Sequence, residues 1–505
     1  MTKTKVLLVY PESPVTYWSL THSLSVIGKK ALLPPLGLLT IAGLFPDDHF
    51  EIRLVDMNER ALRDRDIAAS DLVMLSAMIV QRESFRSVVA RCRALGVPVA
   101  AGGPYPSSCP DEMEGVDYLI LNEGEATLPP FIADWLAGEP KRLYADDSKP
   151  GLDAGPLPRF DLIDPKSYSE MAIQYSRGCP FACEFCDIIE LFGRTPRVKS
   201  PARFIAELEA LLAAKAGERV FVVDDNFIGN KVHAKELLRA LGPWQEARGY
   251  PFSFTTEASV DLARDEELMD LMIAANFKAV FVGLETPSAR ALADAGKRQN
   301  LAMDGAEAVA RMQEKGLMVM GGFIVGFDAD EPGIFDEQID FISRLAVPVA
   351  MIGLLTALPN TALRRRLEGE GRMLAESSGD NTNSNGLNFR PIMPVRTLVQ
   401  GYHRVLREIY KPRAYFDRCL ELLRRFPRGR SLPKPGERGV ATPLGVFLLF
   451  RSLLLQTFSS YGAEYLRFIA KAMRIGPRFV GDFIMMAIQG RHFILLTRRD
   501  PEATV

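Results

Sequence analysis

The chain has 505 residues, 47% apolar and 25% charged, with a formal net charge of -2. That usage is ordinary for folded domains, excludes disorder, collagen or a coiled coil as the whole answer, and fits about three domains of roughly 150 residues each. Six unevenly placed cysteines exclude a disulfide framework, and the expected compartment is the cytoplasm, where thiols stay reduced and can hold metal.

The apolar run Val6–Val9 passes straight into Tyr10, Pro11 and Glu12, so it reads as a first strand and not as a signal-peptide core. Pro35–Leu44 follows as a short helix closed by Pro46, with Glu51–Val55 and Leu72–Ser76 as the second and third strands. Ser84–Leu95 predicts a helix with Gly96 at its C-cap. Val97–Ala101 is a fourth strand ending in Gly102-Gly103, and Tyr118–Leu121 a fifth, followed by a helix from Glu125 to Leu136. This alternation implies a doubly wound, Rossmann-like parallel sheet over residues 1–145, with its ligand at the carboxyl ends of the strands.

Residues 146–169, rich in Pro and Gly, read as a linker. Residues 170–360 alternate again, with expected strands at Met171–Tyr175, Arg219–Val223, Phe252–Thr256, Ala279–Gly283, Leu317–Val325 and Ala350–Leu355. Six such units make a partial (β/α)6 barrel, whose chemistry belongs at the C-terminal strand ends. Residues 361–395 are a polar connection, and 396–505 read as a helical domain with apolar stretches at Leu444–Leu455 and Phe483–Ile488. No run reaches the roughly 18 uninterrupted apolar residues of a spanning helix. From Arg396 onward there are 20 Lys/Arg against 8 Asp/Glu, so this tail carries +12 and the 395 residues before it carry -14. A basic tail on an acidic body predicts an anionic partner.

The densest chemical signal is Tyr175-Ser176-Arg177-Gly178-Cys179-Pro180-Phe181-Ala182-Cys183-Glu184-Phe185-Cys186, in the loop after the first barrel strand. Three thiolates on a bent loop can hold iron–sulfur, and three ligands where a cubane usually has four leave one iron open. Zinc is the alternative metal, although no fourth ligand stands nearby. Three unrelated buried thiols are the other reading, but Cys92, Cys109 and Cys419 lie scattered.

The spacing Cys-x3-Cys-x2-Cys, with Phe185 before the last cysteine, resembles the signature of radical S-adenosylmethionine (SAM) enzymes. The resemblance implies that Cys179, Cys183 and Cys186 hold a 4Fe-4S cluster, that SAM chelates the open iron, and that a one-electron donor such as flavodoxin or ferredoxin triggers its cleavage to a 5′-deoxyadenosyl radical. Val223-Asp224-Asp225-Asn226 stands where that family carries a Gly-Gly-Glu-type motif touching the SAM amino group. By the same resemblance Phe185, Asp224, Asp225, Glu257, Glu285 and Gly322 are expected around SAM. Carboxylates suit its ammonium and ribose hydroxyls, and the competing readings are solvated loop carboxylates and close glycine packing. No catalytic base is named.

The first segment resembles the cobalamin-binding domain often fused ahead of such a core. The matching stretches place Pro11, Glu12, Ser76, Ala77, Gly102, Gly103, Asn122, Glu123 and Gly124 at strand ends, where low bulk lets a flat macrocycle approach the backbone. The Asp-x-His-x-x-Gly loop that supplies cobalt with a histidine is absent, and His22 reads as a packing or surface residue. The whole chain resembles cobalamin-dependent radical SAM proteins with a C-terminal helical domain, a group that includes hopanoid C-2 methylases. That implies methyl transfer to an unactivated carbon of a lipid such as a hopanoid. Two alternatives stay open: a non-methylating reaction such as cyclisation or carbon–carbon bond formation, and a non-catalytic membrane-associated iron–sulfur module.

Interleaved basic and apolar residues at Phe447–Leu455, Tyr465–Arg474 and Phe479–Leu496, with Arg491, Arg498 and Arg499 among and after them, fit helices lying peripherally on an anionic inner membrane surface. The alternative is a basic cap whose apolar faces are core. Nucleic acid ranks lower, because no zinc finger or RNA-binding motif accompanies the charge.

Overall fold

The structure, a computed structural model, describes residues 3–382, 386–430, 434 and 443–498; Arg499 lies outside them. The first sheet comprises β1 (Thr4–Tyr10), β2 (Phe50–Asp56), β3 (Leu72–Ser76), β4 (Val99–Gly102), β5 (Tyr118–Asn122) and β6 (Leu143–Asp146). All pairs are parallel, in the order β2-β1-β3-β4-β5-β6. Period-two alternation on β1 drives the layering. Val6 and Leu8 face the helices Leu36–Ala42 and Gly124–Ala137, while Leu7 and Val9 face Arg82–Ala94. The strand order reverses between β1 and β3, which opens the crevice that ligands use in such sheets. β6 was not expected from the sequence. It is a four-residue edge strand with only Tyr144 buried, too short and too exposed to show a pattern, and it runs past residue 145.

The second sheet starts at β7 (Met171–Ile173). A two-residue ladder of β8 (Ser176–Arg177) and β9 (Arg197–Val198) follows and brackets the cysteine loop. Then come β10 (Arg219–Val222), β11 (Ser253–Ala258), β12 (Phe277–Glu285), β13 (Met318–Val325) and β14 (Ala350–Leu354). The six long strands are parallel in the order β14-β13-β12-β11-β10-β7, an open barrel with helices on its convex side. Val222, Phe254, Val282, Phe323 and Leu354 point to those helices and are buried.

The C-terminal helices Val395–Ile409, Pro412–Arg425, Pro443–Thr457, Gly462–Ile475 and Val480–Leu496 extend the barrel's own core. The Tyr410 hydroxyl donates to the Ala350 carbonyl at 2.8 Å and shares a 2.9 Å hydrogen bond with Tyr17. Tyr17 in turn stacks on Phe493 at 4.5 Å. Pro477–Leu496 is one stretch long and apolar enough to cross a membrane, yet 56% of its apolar window is buried inside the fold. The expectation that Phe479–Leu496 lies on a bilayer is corrected: Phe483, Met486, Ile488 and Phe493 are core. Pro443–Thr457 differs, exposing Val446, Phe447, Phe450 and Leu454. The polar connection is docked rather than loose. Asn388 donates to the Ala357 carbonyl at 2.8 Å, and Leu354 N–H donates to the Asn381 carbonyl at 2.8 Å.

Candidate active site between the two sheets

The carboxyl ends of both sheets face one cavity of about 500 Å³. The first sheet contributes Ser76 and Ala77 at the end of β3, Gly102 and Gly103 at the end of β4, and Asn122, Glu123 and Gly124 at the end of β5. The second contributes Ala172, Gln174, Arg177, Val223 and Asp225. Gly103 has φ +84°, and a Cβ there would come within 2.3 Å of Ser76 Oγ. Only glycine keeps this floor flat, so the bare strand ends fit a broad planar macrocycle. His22 lies elsewhere, its ring 5.5 Å from that of His492.

Two expected cobalamin residues do not line the cavity. The Pro11 carbonyl accepts from Gln81 Nε2 at 2.6 Å and from Asn58 Nδ2 at 3.2 Å, and Glu12 N–H donates to Ser84 Oγ at 2.9 Å. These bonds draw the chain sideways as it leaves β1. Glu123 borders the cavity, but its carboxylate is held by Arg177 at 2.7 Å and Arg197 at 2.5 Å, with the side chain 2% exposed. Arg177 also grips Glu125 at 2.6 Å. Glu123 thus fastens the cobalamin-type sheet to the cysteine loop instead of meeting a ligand. Bidentate guanidinium–carboxylate pairs suit such a junction.

On the other side, Cys183 is buried while Cys179 and Cys186 are half-buried, all three as free thiols. Burial pushes the Cys179 and Cys186 thiols up, and the neighbouring Cys183 adds to both shifts. Among the described residues no three His, Cys, Asp or Glu side chains are already closed around a metal. The donor set fits iron–sulfur nonetheless, because sulfur is offered with N–H groups aimed at it. Asn226 Nδ2 stands 3.9 Å from Cys179 Sγ and Gln299 Nε2 stands 3.6 Å from Cys183 Sγ. Such bonds stabilise sulfur-held negative charge and tune cluster potential. Phe185 packs against Phe327, ring centroids 6.1 Å apart, and Lys297 Nζ lies 5.8 Å from its centroid.

The expected SAM residues divide into three kinds. Asp224 is completely buried and accepts from Tyr175 N–H at 2.7 Å, Ser176 N–H at 2.8 Å and Ser176 Oγ at 2.6 Å. It clamps the chain leaving β7, which also explains why that strand stops at Ile173, so its expected contact with SAM is corrected. Glu285, buried and with φ +62°, is ion-paired to half-buried Lys297. Gly322 lies beneath the Phe281 ring, where its Cβ would meet Cζ at 2.8 Å. Asp225 and Glu257 are the remaining expected acids, and among the described residues no ion pair holds either. Burial raises Asp225 to about 7 and Glu257 to about 8; repulsion from Asp224 and Asp187 adds to the first shift, and repulsion from Asp225 and Asp224 to the second. A half-buried pair of this kind suits a ligand bringing an ammonium and hydroxyls.

Residues 27–132 match the B12 binding domain, 173–366 the radical SAM superfamily, and 361–502 a domain of unknown function called DUF4070. The chain is 45% identical over 416 residues to an uncharacterized methyltransferase of Synechocystis, spanning 82% of this chain and 77% of that one. It is 36% identical over 423 residues to the hopanoid C-2 methylase of Rhodopseudomonas palustris, spanning 83% and 79%. The chain belongs to the cobalamin-dependent radical SAM methyltransferases. It is an enzyme whose cofactors are a 4Fe-4S cluster, SAM and cobalamin, and it needs a reductant and a small-molecule substrate. The fold of this radical SAM methyltransferase is similar to TsrM of Kitasatospora setae, solved with cobalamin and a 4Fe-4S cluster (TM-score 0.60, 16% identity, 94% of this chain and 99% of that one). It is also similar to OxsB, solved with aqua-cobalamin and SAM (TM-score 0.59, 15% identity, 100% and 81%).

Sequence reasoning missed Arg177, Arg197, Glu125, Lys297 and Gln299. Arg177 stands two residues before the first cysteine, which is a local signal. Lys297 and Gln299 follow β12 in a segment without a motif, and only the fold brings them to the thiols.

The raised carboxylates make stability pH-dependent. The folded chain keeps protons on Asp225 and Glu257 that the unfolded chain has released above their ordinary values of 3.8 and 4.5. Their contribution is full below about 4 and is lost as pH rises through 7 to 8. The melting temperature of ligand-free protein should therefore fall by several degrees across that window. Asp225→Asn with Glu257→Gln should flatten the fall, as read by calorimetry at stepped pH.

Proposed function

We propose that this enzyme transfers a methyl group to an unactivated carbon of a polycyclic lipid of the hopanoid type. The observation that carries this reading is the 36% identity to a hopanoid C-2 methylase along 83% of the chain. When bound, the cluster with SAM supplies a hydrogen-abstracting radical and cobalamin supplies the methyl group, both cofactors doing the chemistry that side chains cannot. Cys179, Cys183 and Cys186 hold the cluster, while Asn226 and Gln299 donate to the sulfurs. Asp225 and Glu257 receive the ammonium and ribose of SAM, and Phe185 packs the cysteine loop. The small strand ends at Ser76-Ala77 and Gly102-Gly103, with Asn122 and Gly124, seat the corrin. Arg177 fixes one sheet to the other through Glu123 and Glu125, so that both cofactors open on a shared space.

The enzyme works from the cytoplasmic side, touching anionic bilayers peripherally. The apolar face of Pro443–Thr457, with Phe450 63% and the following Phe458 84% exposed, carries this contact. The basic tail supplies attraction to anionic headgroups.

The test is an anaerobic assay of reconstituted enzyme with reductant, SAM labelled with deuterium in its methyl group, and a pentacyclic hopene in phosphatidylglycerol vesicles. The expected outcome is 5′-deoxyadenosine together with hopene bearing the labelled methyl, formed faster than with hopene in neutral vesicles. SAM cleavage without label in the lipid would refute methyl transfer to this substrate.

A further inference from the structure

The concave face of the second sheet is not filled by its own side chains. Along β10, β11 and β12 the residues facing the helices are buried, whereas those facing inward, Phe221, Thr255, Glu257 and Phe281, are only half-buried. Phe221 and Phe281 belong to none of the core clusters, although they sit within strands of a sheet whose other face is core. In an ordinary parallel barrel such inward residues interlock as packed layers.

The register makes this gap specific. Glu257 pairs with Phe281 and Phe281 with Met320, so one layer runs from a carboxylate into an apolar wall. The next layer toward the carboxyl ends pairs Gly283 with Gly322 and Gly322 with Met351, and the absence of side chains on the two glycines lets the Phe281 ring lie over Gly322. Glu285 and Lys297 fold over Gly283, where a Cβ would meet them at 2.5 and 2.6 Å.

One aromatic residue from outside the barrel reaches this face. The turn Tyr17–Ser19 is locked by buried Tyr17 and by Leu20 in the left-handed region at φ +46°. It presents Trp18, 43% exposed, with its ring 5.2 Å from that of Phe281. A large half-exposed indole on a pinned turn is ordered without being buried, as expected of an anchor for an apolar ligand.

We infer that Trp18, Phe281 and Met320 form the wall against which the ring system of an apolar polycyclic substrate lies, with Trp18 a substrate-contact residue supplied by the N-terminal segment. The inference rests on the methyl-transfer reading for the identity of the ligand. The apolar wall begins beside Glu257, so a ligand flat against it presents a ring edge to the carboxylates proposed for SAM. Trp18, Phe281 and Met320 offer no charged group to a ligand lying on them, which disfavours substrates bearing charge at that contact.

The test measures retention of radiolabelled hopene by holoenzyme, partitioned from nonionic micelles, alongside KM and kcat for methyl transfer. Trp18→Ala should weaken retention and raise KM about tenfold, with kcat changed less; Trp18→Phe should restore most of the loss. Phe281→Leu, which keeps an apolar side chain, should give a smaller change in the same direction. Native enzyme that retains no hopene, or Trp18→Ala enzyme that retains it as tightly as native, overturns the inference. Hopene held in a Trp18-dependent manner without methyl transfer supports the wall and rejects the proposed reaction.

Discussion

Cys183→Ala enzyme is expected to form no 5′-deoxyadenosine above background, a loss of more than about a thousandfold, the scale on which removal of an essential catalytic group acts. The thiol is buried at the middle of the cysteine loop, and its charge influences both Cys179 and Cys186. Gln299 Nε2 points at the sulfur from 3.6 Å. Removing the sulfur leaves two ligands and a polar donor facing an alanine. The variant should be purified anaerobically and compared with Cys419→Ala, whose thiol lies in the helical core far along the chain. Iron and sulfide should drop in the first and persist in the second. A Cys183→Ala protein that keeps a full cluster spectrum and cleaves SAM would remove the basis for the site.

The second large effect concerns a residue that touches no ligand. Asp224→Ala removes one acceptor for three donors, Tyr175 N–H, Ser176 N–H and Ser176 Oγ, all buried. Each buried donor left unpaired costs about 1–3 kcal/mol, so three of them give a loss of at least roughly 3 and at most about 9 kcal/mol. The same donors fix where the chain turns from β7 into the cysteine loop. Iron incorporation should therefore fall along with stability. Asp224→Asn should recover only part of the loss, because its one amide oxygen can accept from Ser176 while the amide nitrogen would face the Tyr175 N–H. Denaturant unfolding gives the stability and iron per chain gives the loop order. Native stability in Asp224→Ala would show that the three donors find other partners.

The cysteine trio and the β/α alternation around it were readable because both are local: a spacing of a few residues, and a period set by the backbone. The six strands of the second sheet occur within a few residues of their expected positions for the same reason. Asp224 and Asp225 show where local reading stops. They are adjacent and chemically alike, yet one is consumed by the backbone of a neighbouring strand and the other lines the cavity. Pro11 and Glu12 stand at a strand end as expected, but side chains from Asn58, Gln81 and Ser84 pull them off the cavity. The helices Pro443–Thr457 and Val480–Leu496 are similarly apolar in sequence. Their neighbours decide that one keeps an exposed face and the other becomes core.

The sequence by itself determined the cysteine trio and the two-sheet, helix-tailed architecture, since thiol spacing and hydrophobic period survive without knowledge of distant contacts, and the family resemblance of those motifs implied the cofactors. Only the tertiary structure decided which acids stay free, how Arg177 and Arg197 bind one sheet to the other, and that Trp18 stands over Phe281. Each of these depends on long-range pairing across tens to hundreds of residues, where a side chain's role is fixed by partners that its own neighbourhood in the chain does not specify.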